Sequence, residues 1–119
     1  MILFKPEMAR AIVEGQKTVT RRRWKRPRVR VGGLHLCYTR PPFTRPAGQP
    51  FARVRIVSVC RESFVGELNP PGEWQREGFA DFEAFCEAWR MMHGNAALGE
   101  PCYRVEFELV ELLDRGKAI

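Results

Sequence analysis

The segment Gly15-Gln16-Lys17-Thr18-Val19-Thr20-Arg21-Arg22 decides how the chain is read. Upstream of it, Pro6 suits the first position of a helix, where its missing N–H costs nothing, and Met8, Ala9, Ile12 and Val13 recur at helical spacing. Gly15 then fits the C-terminal cap. Downstream, polar and β-branched residues alternate from Lys17 to Arg22, which predicts a strand running into a basic loop. Residues three apart in a regular strand point to opposite faces. Lys17 and Thr20 therefore converge only if Lys17 lies in the turn before the strand or a bulge intervenes.

Working outward, Met1 to Phe4 reads as a short strand, and Leu34, Leu36 and Tyr38 alternate with His35 and Cys37 as a second half-buried one. Residues 39–50 hold four prolines and one glycine and form a loop. Ala52 to Cys60 places Val54, Ile56 and Ser58 on one face and Arg53, Arg55 and Val57 on the other. Asn69-Pro70-Pro71-Gly72 breaks the chain. Asp81 suits the N-cap of a helix with Phe82, Phe85, Cys86, Trp89 and Met92 at core spacing, closed by Gly94. Finally Tyr103, Val105, Phe107 and Leu109 alternate with Arg104, Glu106 and Glu108. Two amphipathic helices and several alternating strands predict one α+β domain over residues 1–119. Its mostly antiparallel sheet should curl toward a small barrel. If the strands at 52–60 and 103–111 are neighbours, Arg53 and Arg55 are expected to face Glu106 and Glu108.

The 119 residues include 45% hydrophobic ones, among them 8 Phe and 3 Trp, enough for a core and incompatible with disorder or a coiled coil. No apolar run approaches the roughly 18 residues of a spanning helix, and the apolar start is too short for a signal peptide. A soluble cytoplasmic protein with no membrane partner is expected. The cysteines at 37, 60, 86 and 102 form no Cys-x-x-Cys pair, and His35 and His93 are far apart. No metal site and no cofactor are therefore expected, and the thiols are read as reduced packing residues. The net charge of +6 is sharply segregated: Gly15 to Arg61 contains 13 Lys and Arg and no acid, whereas 12 of the 14 acids follow Arg61. One-sided positive charge is the footprint of a polyanion. An internal ion-pair network between the two halves would use the same asymmetry.

The Gly-x-Lys-Thr-x-Thr-Arg-Arg segment at 15–22, followed by the Gly32-Gly33 turn and later by Glu77-Gly78-Phe79 before a helix, resembles the ASCH domain, a relative of the PUA RNA-binding fold. The form of the first motif resembles the bacterial and phage branch of that family. The resemblance spans Leu3 to Val110 and implies a small β-barrel with a cleft containing a lysine, an arginine and a glutamate. It implies binding of RNA or of a modified nucleoside or nucleotide. One branch of the family hydrolyses N4-acetylcytidine with a lysine, a threonine and a glutamate, which would correspond to Lys17, Thr20 and Glu77; another member is described as a ribonuclease. Relatives often carry Gly-Asp where Gly32-Gly33 stands here, and the run from Arg21 to Arg30 is unusually basic.

On this reading Lys17, Thr20, Arg21 and Glu77 line the cleft, and RNA or a nucleotide is the partner. As an amidohydrolase, Thr20 would be the nucleophile, Lys17 the base and Glu77 the acid or orienter. Lys17 would have to fall from about 10.4 toward 7 to 8, helped by burial and by Arg21, Arg22 and Arg23 and opposed by Glu77. Seven positive charges between Arg21 and Arg30 suit phosphate contacts, through Arg22, Arg23, Arg26 and Arg28, with Trp24 as a stacking face. Trp74 is either a second stacking face or a loop-covering core residue, whereas Trp89 belongs to the apolar stripe of its helix. Simpler roles stand beside these: Lys17 near helix carbonyls, Thr20 as a strand residue, Glu77 as a first-turn acid, or the basic half as a dock for an acidic protein.

Overall fold

Gly15 does end the first helix: it adopts φ +83°, and the N–H groups of Gln16 and Lys17 both return to the Ala11 carbonyl at 2.9 and 3.0 Å. The computed structural model describes residues 1–113. Their order is β1 (Ile2–Leu3), α1 (Pro6–Val13), β2 (Val19–Arg22), β3 (Leu34–Tyr38), β4 (Pro50–Glu62), α2 (Glu73–Glu77), α3 (Phe82–His93), a 3-10 turn (Asn95–Gly99) and β5 (Cys102–Leu112). Pro6 stands in the first turn of α1, and the Asp81 carboxylate caps α3 by accepting from the Ala84 N–H at 2.8 Å. Such a cap is worth about 1 kcal/mol.

The five strands form one mixed sheet in the order β1-β3-β4-β5-β2. Only β1 and β3 run parallel; the other three pairings are antiparallel. The sheet curls into a half-barrel, so the fold is the α+β arrangement expected, with β1 and β2 as its two edges. No backbone ladder joins those edges. Instead the Arg22 guanidinium, rooted in β2, donates to the Leu3 carbonyl of β1 at 2.8 Å and lies 4.8 Å over the Phe4 ring. A seam is left there, and α1 and α3 border it.

Ile2, Phe4, Ile12, Phe51, Val54, Ile56, Val105 and Phe107 fill the concave side of the sheet. A second cluster, Val65, Trp74, Phe85, Trp89, Ala97 and Cys102, lies under α3 and the 3-10 turn. Two layers of apolar residues thus sandwich β2 and β5, and polar side chains on those strands are buried on either face.

Strands β4 and β5 pair at length, but the pairing slips at Arg53/Val54 and again at Ile56/Ser58. Each irregularity offsets the partners by a residue. Arg55 meets Glu108 at 3.0 Å as expected, whereas Arg53 meets Glu111 rather than Glu106. Glu106 pairs instead with Arg76 at 2.9 Å and Arg104 at 3.4 Å. The segment after Asn69-Pro70-Pro71-Gly72 also differs from expectation: it forms the one-turn helix α2, bounded by Gly72 at φ +76° and Gly78 at φ +99°. Among the described residues all four cysteines are free, and no helix is long and apolar enough to cross a membrane.

Candidate functional site

Lys17 lies in the turn between α1 and β2, ahead of the strand. Its side chain is only 3% exposed, and three acceptors surround the amine: the Val19 carbonyl at 2.8 Å, the Glu77 carbonyl at 2.6 Å and Glu77 Oε1 at 3.1 Å. Three acceptors match the three N–H bonds of an ammonium. Burial pushes Lys17 below its ordinary 10.5; Glu77 opposes this, while Arg22 and Arg21 add to it. The turn is pinned to α2 from outside. The Thr18 N–H donates to the Arg76 carbonyl at 2.8 Å, and Arg76 Nε donates back to the Thr18 hydroxyl at 3.0 Å.

Glu77 presents both its carbonyl and its carboxylate to one amine because Gly78 follows in the left-handed region. A Cβ on Gly78 would also stand 3.0 Å from Met8 Sδ and 3.6 Å from Lys17 Cδ. The left-handed φ favours glycine here, and an added Cβ would also press on Met8.

The second Glu77 oxygen accepts from Arg21 Nη1 at 2.8 Å. Arg21 Nε donates to Glu62 Oε1 at 2.7 Å, and Nη2 reaches Glu73 Oε2 at 2.6 Å, Glu62 Oε2 at 3.1 Å and the Leu68 carbonyl at 2.9 Å. Arg104 closes on Glu73 with Nε at 2.6 Å and Nη2 at 2.8 Å. The Leu68 N–H and the Cys102 thiol donate to Glu62 at 3.0 and 3.3 Å. Lys17, Arg21 and Arg104 are thus buried with Glu62, Glu73 and Glu77, and their formal charges cancel. Burial alone would lower Arg21, but the three carboxylates hold it above its ordinary value. Burial and Glu62 push the Cys102 thiol up to about 12, which leaves it protonated.

Thr20 and Arg22 point to the opposite face of β2 from Arg21. The Thr20 hydroxyl, on a residue 5% exposed, accepts from Arg22 Nε at 3.2 Å and has no acceptor for its own hydrogen among the described residues. It is not hydrogen-bonded to Lys17. Both residues nevertheless line one cavity of about 230 Å³, set in the seam of the half-barrel. Phe4, Phe79, Phe85 and Trp89 provide apolar walls; Lys17, Thr20 and Glu77 provide polar ones; Lys5, Glu7, Arg23, Met92 and His93 stand at the rim.

The structure therefore brings Lys17, Thr20, Arg21 and Glu77 around one space, with Arg21 fully engaged behind it. Arg22 is engaged with Leu3 and Thr20. Arg23 pairs with Glu100 at 2.5 Å on the surface. Trp24 is half-buried, tilted against Tyr103 with 6.4 Å between centroids. Arg26 and Arg28 are exposed and, like Lys25 and Arg30, have no ion pair among the described residues. Trp74 is buried between Phe82 and Phe85, with the Arg21 guanidinium 4.8 Å over its ring, so its place is in the core. Three members of the ion network, Glu62, Glu73 and Arg104, were not singled out in the sequence. Glu62 is the first acid after the 47-residue acid-free window, yet nothing local marks it as buried. No cluster of three or more His, Cys, Asp or Glu suited to a metal occurs among the described residues.

No protein-family model matches the sequence, and no curated protein matches it. Solved structures do match. ASCH from Zymomonas mobilis is similar at a TM-score of 0.61 and 22% identity, over 96% of this chain and 73% of that one. EF3133 from Enterococcus faecalis V583, assigned to DUF984, reaches 0.64 at 15% identity, over 94% of this chain and 80% of its own. The hypothetical protein PH0355 reaches 0.67 at 14% identity, over 92% and 96%. Identities this low speak for shared architecture, and over nearly the whole of this chain that architecture is the same half-barrel with flanking helices. The chain has the fold of an ASCH-type domain.

Proposed function

We propose that the seam cavity binds a single nucleobase, free or within RNA, and that the exposed basic residues of 25–30 meet phosphates. The observation that supports this best is the make-up of the cavity. Aromatic walls face a buried Thr20 hydroxyl whose hydrogen lacks an acceptor among the described residues, beside the Lys17–Glu77 pair. A ligand carbonyl or ring nitrogen would supply that acceptor, and a flat ring suits apolar walls. The volume is a little below the low end of common ligand pockets, about 300 Å³, which suits one base-sized group. Titration calorimetry with the four common nucleosides and N4-acetylcytidine tests this. Saturable binding that Thr20→Val weakens by about tenfold is expected, one lost hydrogen bond. Binding of none of them, or binding indifferent to Thr20→Val, would remove the proposal.

A second reading, hydrolysis of N4-acetylcytidine, is favoured by one specific observation: Thr20, Lys17 and Glu77 share the cavity and burial lowers Lys17. In that reaction the Thr20 oxygen bonds to the acetyl carbon while its proton passes to a neutral Lys17. The C–N bond then breaks, Lys17 returns the proton to the departing cytidine amine, and water releases acetate from Thr20. Arg22 donates to the Thr20 oxygen and leaves the hydroxyl hydrogen free, so the step requires only that Lys17 turn to accept that hydrogen. Chromatography for cytidine and acetate separates the two readings. Product with wild type and none with Lys17→Ala supports hydrolysis; binding without product leaves the first reading.

A further inference from the structure

Three nitrogen-bearing side chains from three different segments line the same cavity, and two of them lie near enough to the third to act on it electrostatically. They are Lys5, just before α1; Arg23, just after β2; and His93, the last residue of α3. Neither the Lys5 amine nor the His93 imidazole has a hydrogen-bond or ion-pair partner among the described residues, although His93 packs edge-on against Trp89 at 4.5 Å. Arg23 has one partner, Glu100, and that pair is surface-exposed at 36% and 45%, where an exchange of partner costs little. The neighbouring Arg22 differs: it is held by Leu3 and Thr20 inside the seam. Glu7 is the acid at the rim.

We infer that Lys5, Arg23 and His93 form a phosphate seat at the mouth of the cavity, so that the ligand is a phosphorylated nucleoside, base inward and phosphate at the rim. This rests on the nucleobase reading and adds the substrate class to it. Apolar walls inside and, at the mouth, two donors without acceptors among the described residues beside an exposed arginine match a ligand with a flat apolar body and an anionic end. The electrostatics agree. Burial first, then Arg23 and Lys5, hold His93 below its ordinary value, and Glu100 opposes them but is outweighed. The potential at the imidazole is therefore positive, and an anion seated there relieves it. Phosphate also offers Arg23 a bidentate partner in place of Glu100.

Calorimetry at low salt with each nucleoside and its 5′- and 3′-monophosphate tests the seat. At least one monophosphate is expected to bind about tenfold or more tightly than its nucleoside, the worth of one or two charge-assisted hydrogen bonds. Arg23→Gln and Lys5→Gln, both at exposed positions, should each cut that gain to about threefold or less while leaving nucleoside affinity in place. The double variant Arg26→Ala/Arg28→Ala should preserve the gain, because a monophosphate lacks the further phosphates that the 25–30 loop would meet in RNA. Nucleoside binding with no gain from phosphate would overturn the seat and leave the nucleobase reading standing. A gain lost in the Arg26/Arg28 variant but kept in the rim variants would move the phosphate to the basic loop and overturn it equally. No binding of any nucleoside or nucleotide would remove both readings.

Discussion

Arg21 sits in the most basic stretch of the chain, yet its guanidinium meets three carboxylates inside the protein. A buried charge that loses its partner is left uncompensated, which costs about 3–5 kcal/mol. Arg21→Met should therefore lower the unfolding free energy by about that amount in a urea titration, whereas Arg26→Ala, on the exposed loop, should stay within about 0.5 kcal/mol. Glu73 offers a pH test of the same network. Burial would raise its carboxyl, but Arg104 and Arg21 hold it below 4.5. A carboxyl depressed by folding contributes stability that is fully present above its unfolded value and is lost as pH falls through the folded one. Wild type should thus lose stability on acidification below about pH 4.5. Glu73→Gln, already weakened at pH 7, should lose less over that window. Equal slopes for the two in acid urea titrations would show that Glu73 does not carry this dependence.

At the scale of elements, the turn from α1 into β2 and the one-turn α2 must meet for a site to exist, and Gly78 is where they touch. Its φ of +99° is one that side chains rarely adopt, and an added Cβ would stand 3.0 Å from Met8 Sδ, so Met8 would have to give way. Gly78→Ala is expected to destabilise by about 1–3 kcal/mol, the range for one strained backbone position. It should also weaken nucleoside binding, because the Glu77 carbonyl moves away from Lys17. A thermal melt beside a nucleoside titration checks both, and an unchanged melt would count against the steric argument. The elements themselves were readable: Pro6 and Gly15 frame α1, Asp81 and Gly94 frame α3, and the alternations mark β3, β4 and β5. Helix α2 was not, because five residues between two glycines offer too few turns for a period to show. The partner of Arg53 was not either, since a bulge leaves no mark in an alternating pattern until the neighbouring strand is known.

Over the whole molecule, folding resolves part of the segregation of charge along the chain. Lys17, Arg21, Arg23, Arg53 and Arg55 from the acid-free segment pair with Glu77, Glu62, Glu73, Glu100, Glu111 and Glu108 from the acidic half. Lys25, Arg26, Arg28 and Arg30, like Arg40, Arg45 and Arg61, remain exposed without acid partners among the described residues. If this loop meets RNA phosphates, binding should weaken with salt at a log–log slope near −0.7 per contact. Arg26→Ala/Arg28→Ala should then shallow the slope by about 1.4, and Arg53→Ala/Arg55→Ala should leave it unchanged. An unaltered slope in the first variant would take the loop out of the interface.

What the sequence determined by itself was the set of local structures and one motif: capped helices, alternating strands, and a lysine three residues before a threonine. These depend on neighbours a few positions apart, where backbone sterics and hydrophobic period act. Only the tertiary structure decided which charges face the ligand and which are locked away. Arg21 and Arg22 are adjacent and chemically identical. Strand pairing nevertheless turns one into a buried carboxylate network and sets the other across the seam of the half-barrel. The physical reason is that a buried charge finds its partner through space: Glu62, Glu73 and Glu77 lie far along the chain from Arg21 and come within hydrogen-bond reach only when β2, β4 and α2 pack together.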